Sequence, residues 1–336
     1  MKEKPHAFEK LSSDPQLQKL AQQEDLRVWL DEFKFKSIGD PADRADFLKF
    51  LEEIQTGYNL PWQTVGDKFL VKKYELTLIS GYTGSGKSEM ANHILLNCIE
   101  QGAKGYLASL EFTVDELRKR ILIQSTGISS PTGEYIQKFF DFYNQRLFVQ
   151  NTRGIASIEL ILEGCLHLHK YFGVDVFVFD NLMMLNAAVD DYNKQFETAR
   201  QISEFAKTYP VSIFLVAHSR KPPAGEKNIK MLDAPGIYDV HGASSVANLV
   251  DNHISISINR FKLAAIRKKE KGFPLSEQEA ESLTRGDSVI KRDKKRSQGD
   301  FFRQELYFDK KYCRLKDYES EVLKPYVNYS NLEKTR

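Results

Sequence analysis

From Glu75 onward the chain alternates short apolar runs with stretches whose apolar residues recur at helical spacing. Glu75–Ser80, with Leu76, Leu78 and Ile79, predicts a short buried strand, and Met90 to Gln101 predicts a helix, with Ala91, Ile94, Leu95 and Cys98 on one face and Gly102 as its stop. Lys104–Leu110 reads as the next strand, followed by Thr113-Val114-Asp115-Glu116, a capping box that opens a helix through Ile123. Val174–Asp180 is the most apolar run, as a central parallel strand should be. Tyr192 to Tyr209 predicts a helix stopped by Pro210, and Val211–Ala217 a further strand. Beyond Asp251, Ile254–Ile258, Ser288–Lys291 and Gln304–Phe308 predict closing strands around a charged helical insertion, residues 261–287. The alternation predicts an α/β domain built on a mainly parallel, twisted sheet.

Upstream the pattern is purely helical. Asp40 and Pro41 suit a helix start, Phe47, Phe50, Leu51 and Ile54 follow at helical spacing, and Gly57 ends the run. Leu26 to Phe35, around Trp29, is a second amphipathic stretch. These pieces are too small for a core of their own. They either pack on the main domain or dock onto a neighbouring subunit; the expected organisation is a subunit-docking helical extension over 1–60, a main domain over 61–320, and a tail over 321–336.

Charge refines this picture. The net charge is only +2, so the chain as a whole is no basic nucleic-acid binder, yet Arg260–Lys316 holds 17 Lys or Arg against 9 Asp or Glu. That asymmetry is compatible with a polyanion at one surface. Three scattered cysteines, Cys98, Cys165 and Cys313, argue against a disulfide framework or a zinc site. The first residues lack an apolar signal core and no run approaches 18 apolar residues, which predicts a cytoplasmic protein without a membrane partner.

The candidate chemistry centres on Gly81-Tyr82-Thr83-Gly84-Ser85-Gly86-Lys87-Ser88, which fits the phosphate-loop pattern G-x-x-x-x-G-K-[ST] between a strand and a helix. Gly81, Gly84 and Gly86 let the backbone N–H groups of the loop, those of Thr83 and Ser85 included, curl around an anion. Lys87 would reach the β- and γ-phosphates and the Ser88 hydroxyl would hold Mg²⁺, so the pattern implies a site for ATP or another nucleoside triphosphate. Ligands of such sheets lie beyond the C-terminal strand ends. Asp180 is therefore placed to hold Mg²⁺ through water. Glu111 follows the strand next in sequence to the loop; if those two strands are neighbours, its carboxylate reaches a water aligned with the γ-phosphate. His218 ends a third strand, as a γ-phosphate sensor would.

Over residues 60–316 the chain resembles the ring-forming replicative helicases, of the bacterial DnaB type and the phage primase–helicase and Twinkle type. The resemblance rests on Gly81–Ser88, Ser109-Leu110-Glu111-Phe112, Asp180-Asn181, His218 with Arg220-Lys221-Pro222, Gly242 to Asn252, and Lys294-Lys295-Arg296-Ser297-Gln298-Gly299. It implies a RecA-like P-loop NTPase core, assembled as a hexameric ring around single-stranded DNA, with ATP between subunits. It further implies Glu111 as catalytic base, Asp180 as Mg²⁺ ligand, His218 as sensor, and Lys294 and Arg296 acting on the neighbour's γ-phosphate, with Arg292 as the rival to Arg296. Primase or other replication proteins are the further partners it implies, in a bacterial or phage-infected cell.

DNA contact is expected between Ser219 and Ala247, from Arg220, Lys221, Lys227 and Lys230. Related helicases usually carry a basic residue within the segment matching Gly242–Asn248, and here only the amide of Asn248 stands there. The implied activity is ATP-dependent translocation on a single strand during DNA replication. An ATP-switched loader, recombination mediator or assembly module that unwinds nothing stays open, and so does a metabolic P-loop kinase, against which the Lys-x-Arg segment counts.

Overall fold

The computed structural model describes residues 38, 41–151, 157–185, 192–220, 234–240, 243–296 and 299–327. The chain divides into two compact units, Met1–Glu52 and Glu53–Arg336. The predicted Leu26–Phe35 helix and Asp40 lie outside the described residues; a 3₁₀ turn, Pro41–Asp43, leads into α1 (Arg44–Gln55).

The larger unit begins with a two-stranded ribbon, β1 (Gly57–Asn59) paired antiparallel with β2 (Leu70–Lys72), with the single turn α2 (Gln63–Gly66) between them. Then come β3 (Glu75–Gly81), α3 (Lys87–Glu100), β4 (Gly105–Ser109), α4 (Val114–Thr126), α5 (Gly133–Tyr143), β5 (Leu147–Val149) and α6 (Ile158–His167). After these follow β6 (Val176–Asp180), α7 (Tyr192–Thr208), β7 (Ser212–His218), α8 (Ala243–Leu249) and β8 (Asn252–Ile258). The chain closes with α9 (Arg260–Glu270), α10 (Glu277–Ser282), β9 (Ser288–Lys295), β10 (Phe302–Asp309) and β11 (Arg314–Lys316).

One nine-stranded sheet carries the unit, in the order β11-β10-β9-β8-β3-β7-β6-β4-β5. The six strands from β8 to β5 are parallel, and β9, β10 and β11 extend them antiparallel. The period-two pleat sorts each strand between two cores. Ile79, Val178 and Val216 face Met90, Ile94 and Leu95 of α3, while Leu76, Leu78, Phe177, Phe179 and Leu215 join Ile202, Phe205 and Ala206 of α7 on the other side. The Thr113–Glu116 capping box forms as expected, and Gly127, at φ +70°, ends α4 one turn later than Ile123.

The register corrects one premise. β4 is not a neighbour of β3; β7 and β6 lie between them. Glu111 therefore reaches the loop's end of the sheet through the β4–β6 pairing, which sets Ser109 opposite Asp180. Among the described residues no helix is long and apolar enough to cross a membrane.

Candidate active site

β3 enters the phosphate loop at Gly81, where a Cβ would collide with Ile256 O and Ser85 Oγ, so only glycine lets β8 lie so close. Gly84 and Gly86 take φ of +74° and +87°, the left-handed turns that wrap the loop before α3 begins. The first turn of α3 leaves backbone N–H groups without intrahelical acceptors, at the positive end of its dipole. Ser85 Oγ is buried and has no partner among the described residues. Lys87 is buried, with Nζ 3.0 Å from the Tyr82 carbonyl oxygen to which it donates. Burial pushes its ammonium below the ordinary lysine range, against the pull of the Asp180, Glu111 and Glu89 carboxylates. An orphaned hydroxyl, a buried cation and free helix-terminal donors in one cradle fit a triphosphate.

Asp180 ends β6 beneath this cradle, buried, and accepts a hydrogen bond from the Ser88 hydroxyl. Desolvation raises its pKa to about 6, with Ser88 opposing and the Glu111 and Glu89 carboxylates adding to the rise. A serine hydroxyl beside a carboxylate is a hard-oxygen pair that suits Mg²⁺, which takes few protein ligands and keeps its waters and phosphate oxygens. Among the described residues no cluster of three or more His, Cys, Asp or Glu competes for a metal.

Glu111, just past β4, is drawn in by Asn181, whose Nδ2 donates to Oε1 at 2.6 Å. The same amide nitrogen lies 3.5 Å from His218 Nε2, and His218 is paired with Gly81 across β3 and β7. Asn181 thus links the ends of three strands, a role visible in the sequence only through its place after Asp180. A second buried chain runs from Ser80, one residue before the loop, whose Oγ is 2.7 Å from His253 Nε2. His253 Nδ1 meets the Asp293 carboxylate, whose other oxygen accepts the Ile237 N–H at 3.0 Å. Nothing in the sequence signals it, because the three residues stand on three strands.

Lys294 and Arg296 lie at the other end of the sheet. Asn252 is paired with Thr77 on one side and Lys295 on the other, four residues below Gly81, or roughly 13 Å along the strand. There Lys294 donates to the Ala247 carbonyl and Arg296 to the Asn248 carbonyl, at the negative end of α8, and Arg296 is half exposed. Burial, with Arg296 beside it, holds the Lys294 ammonium below its usual range. Arg292 is different: it is 2% exposed, donates to the Lys68 and Asp300 carbonyls and to Asn252 Oδ1, and stacks over Phe69.

Of the predicted DNA contacts, Arg220 is exposed just past β7, its N–H bonded to the Asp239 carbonyl at 2.7 Å. Asn248 is exposed beside Arg296, so the two stand at opposite ends of the sheet. Lys221, Lys227 and Lys230 lie outside the described residues.

A cleft of about 800 Å³ opens beside Gly84–Gly86, between Phe112 and Ile123 on one side and Ile256, Leu263 and Ile266 on the other. Arg120 lies 4.1 Å over the Phe112 ring at its mouth and pairs with Glu89 at 2.7 Å.

Fold and site together define a P-loop NTPase domain with a RecA-like core. Residues 62–224 match the AAA domain family. The chain's fold is similar to that of DnaB-like replicative helicases. A DnaB-like replicative helicase, described with its interactions with primase, superposes with a TM-score of 0.59 at 15% identity, over 90% of this chain and 75% of that one. A separately solved ATPase domain gives 0.60 at 16% identity, over 83% of this chain and 100% of that one. In sequence the chain is 23% identical over 249 residues to the Twinkle homolog protein, chloroplastic/mitochondrial, of Arabidopsis thaliana, covering 68% of this chain. It spans 34% of that relative's length.

Proposed function

We propose that the chain is one subunit of a hexameric ring that hydrolyses ATP and uses the energy to move along single-stranded DNA. The triphosphate lies on the Gly81–Ser88 loop, with Lys87 against its outer phosphates and the nucleoside running toward the cleft beside Gly86. Ser88 and Asp180 would hold Mg²⁺, which neutralises phosphate charge when bound. Glu111, oriented by Asn181, accepts the proton of the attacking water. His218 reads the γ-phosphate and passes its presence to Arg220, two residues on. Lys294 and Arg296 belong to the neighbour's site: a charge developing on the transferred phosphoryl group needs a fixed cation, and a guanidinium supplies planar donors.

What supports this reading above all is that the Lys294–Arg296 segment lies toward the opposite end of the sheet from the chain's own loop, Lys295 being level with Thr77, roughly 13 Å along the strand from Gly81. Cations so placed suit a phosphate held by another copy. Mixing Arg296→Ala with Glu111→Gln protein tests this. Interfaces that pair the intact Glu111 of one variant with the intact Arg296 of the other should restore turnover well above either variant alone. Mixtures no more active than their components would remove the shared site. Displacement of a strand from a forked duplex tests unwinding separately. At the exposed Asn248 of α8 the chain carries an amide and no cation, which favours a second reading, an ATP-switched assembly module; DNA-stimulated hydrolysis without displacement would select it.

A further inference from the structure

The α9–α10 insertion has two faces with different surroundings. Leu263 and Ile266 of α9 line the cleft beside the phosphate loop. One turn further on, Arg267, Lys268 and Lys271, with Phe273 and Pro274, enclose a separate open groove of about 420 Å³.

Basic residues at a helix C-terminus have an ordinary explanation, since they complement the negative end of the dipole. Two observations exceed it. The helix stops in a tight turn, with Gly272 at φ +73° and the Phe273 N–H bonded to the Lys268 carbonyl at 2.9 Å, so the backbone of Phe273 is set beside the groove that its side chain lines. That ring is 60% exposed. Moreover, only Lys268 is neutralised, by Glu279 at 2.5 Å; Arg267 and Lys271 are exposed and make no side-chain ion pair among the described residues. Spaced four apart, they share one face of the helix. Two unneutralised cations beside an open aromatic ring are the elements of a single-strand contact: cations for phosphates and a ring for a base. An acidic polypeptide would use the cations and leave the ring idle. The half-unit of negative charge at the helix end opposes an anion, but two full side-chain charges exceed it.

We infer that Arg267, Lys271 and Phe273 form a nucleic-acid contact site outside the Arg220 region, taking the sugar-phosphate backbone of a single strand with one base stacked on Phe273. The inference rests on the reading of the chain as a nucleic-acid motor. Because α9 also walls the cleft beside the loop, a strand seated here lies one helical turn from the nucleotide site.

The test is anisotropy of a labelled oligothymidylate with the full-length protein and a slowly hydrolysed ATP analogue, across a salt series. Removing two phosphate contacts in Arg267→Ala/Lys271→Ala should lower the slope of log affinity against log salt by about 1.4, and Phe273→Ala should weaken binding about fivefold or more at unchanged slope. Melting temperatures confirm that the variants fold. A wild-type slope in the double variant overturns the site; if Arg220→Ala/Lys221→Ala then lowers it, the motor reading stands alone. Wild-type protein that binds no oligothymidylate at low salt overturns both. Loss of polyglutamate binding with an unaltered DNA slope makes the groove a protein site and ends the proposal.

Discussion

At the loop end of the sheet, Lys87 and Asp180 are buried with their partners already in place. At the hairpin end, Lys294 and Arg296 rest on the carbonyls of Ala247 and Asn248. The first arrangement is preorganised: its charges are desolvated before ligand arrives, and the cradle cannot rearrange cheaply. The second is provisional. A half-exposed arginine on a carbonyl, with the Asp251 carboxylate at the long distance of 3.9 Å, gains about 1 kcal/mol, so exchanging those partners for a phosphate costs little. Arg292, four residues before Arg296 on the same hairpin, marks the boundary, since its guanidinium is spent on Lys68, Asp300 and Asn252 inside the protein. The difference separates a residue that can act on another molecule from one that only holds the hairpin. It leaves Arg296 as the candidate finger.

The comparison breaks most severely at Lys87. Lys87→Ala should reduce ATP turnover below detection in a steady-state assay; wild-type turnover would remove the loop from the chemistry. Next comes the pair of arginines. Arg296→Ala should cut turnover by roughly a thousandfold while nucleotide affinity and melting temperature hold. Arg292→Ala should instead cost about 3 kcal/mol of stability or more in denaturant unfolding, because buried carbonyls lose their donor. Equal melting temperatures for the two variants would erase the distinction.

The smallest effect is acid-dependent and sharpens the loop end. The fold raises Asp180 from 3.8 to about 6, so its neutral form is favoured in the folded state. For the nucleotide-free protein this group adds stability as pH falls through 6 toward 4, up to about 3 kcal/mol, and that contribution is lost as pH rises to 7. If Mg·ATP is held through this carboxylate, its affinity should fall over the same interval. Asp180→Asn should flatten the pH dependence of both melting and binding; a dependence equal to wild type would place the titrating group elsewhere.

Much of this architecture was legible in the residues. The loop pattern, the apolar run into Asp180 and the Thr113 capping box each follow from local chemistry, and all three sit where they were expected. Strand order was not legible. Glu75–Gly81 and Gly105–Ser109 are consecutive strands, yet β6 and β7 insert between them, because adjacency in a parallel sheet depends on crossover connections that no local period records. β5 escaped notice for another reason: three half-buried residues at an edge are too few to show alternation. The Ser80–His253–Asp293 chain was invisible because it exists only once β3, β8 and β9 are in register. The role of Arg292 against that of Arg296 likewise needed burial, which their shared basic stretch conceals.

On the proposed reading, the sheet carries a socket at one end and a plug at the other. If Arg296 enters a neighbour's loop, the contact joins unlike surfaces, so every copy added offers the same vacancy that it fills. A two-fold pair cannot satisfy such a protomer. Growth stops only where the rotation from copy to copy brings the last plug to the first socket, which makes subunit number a matter of one angle.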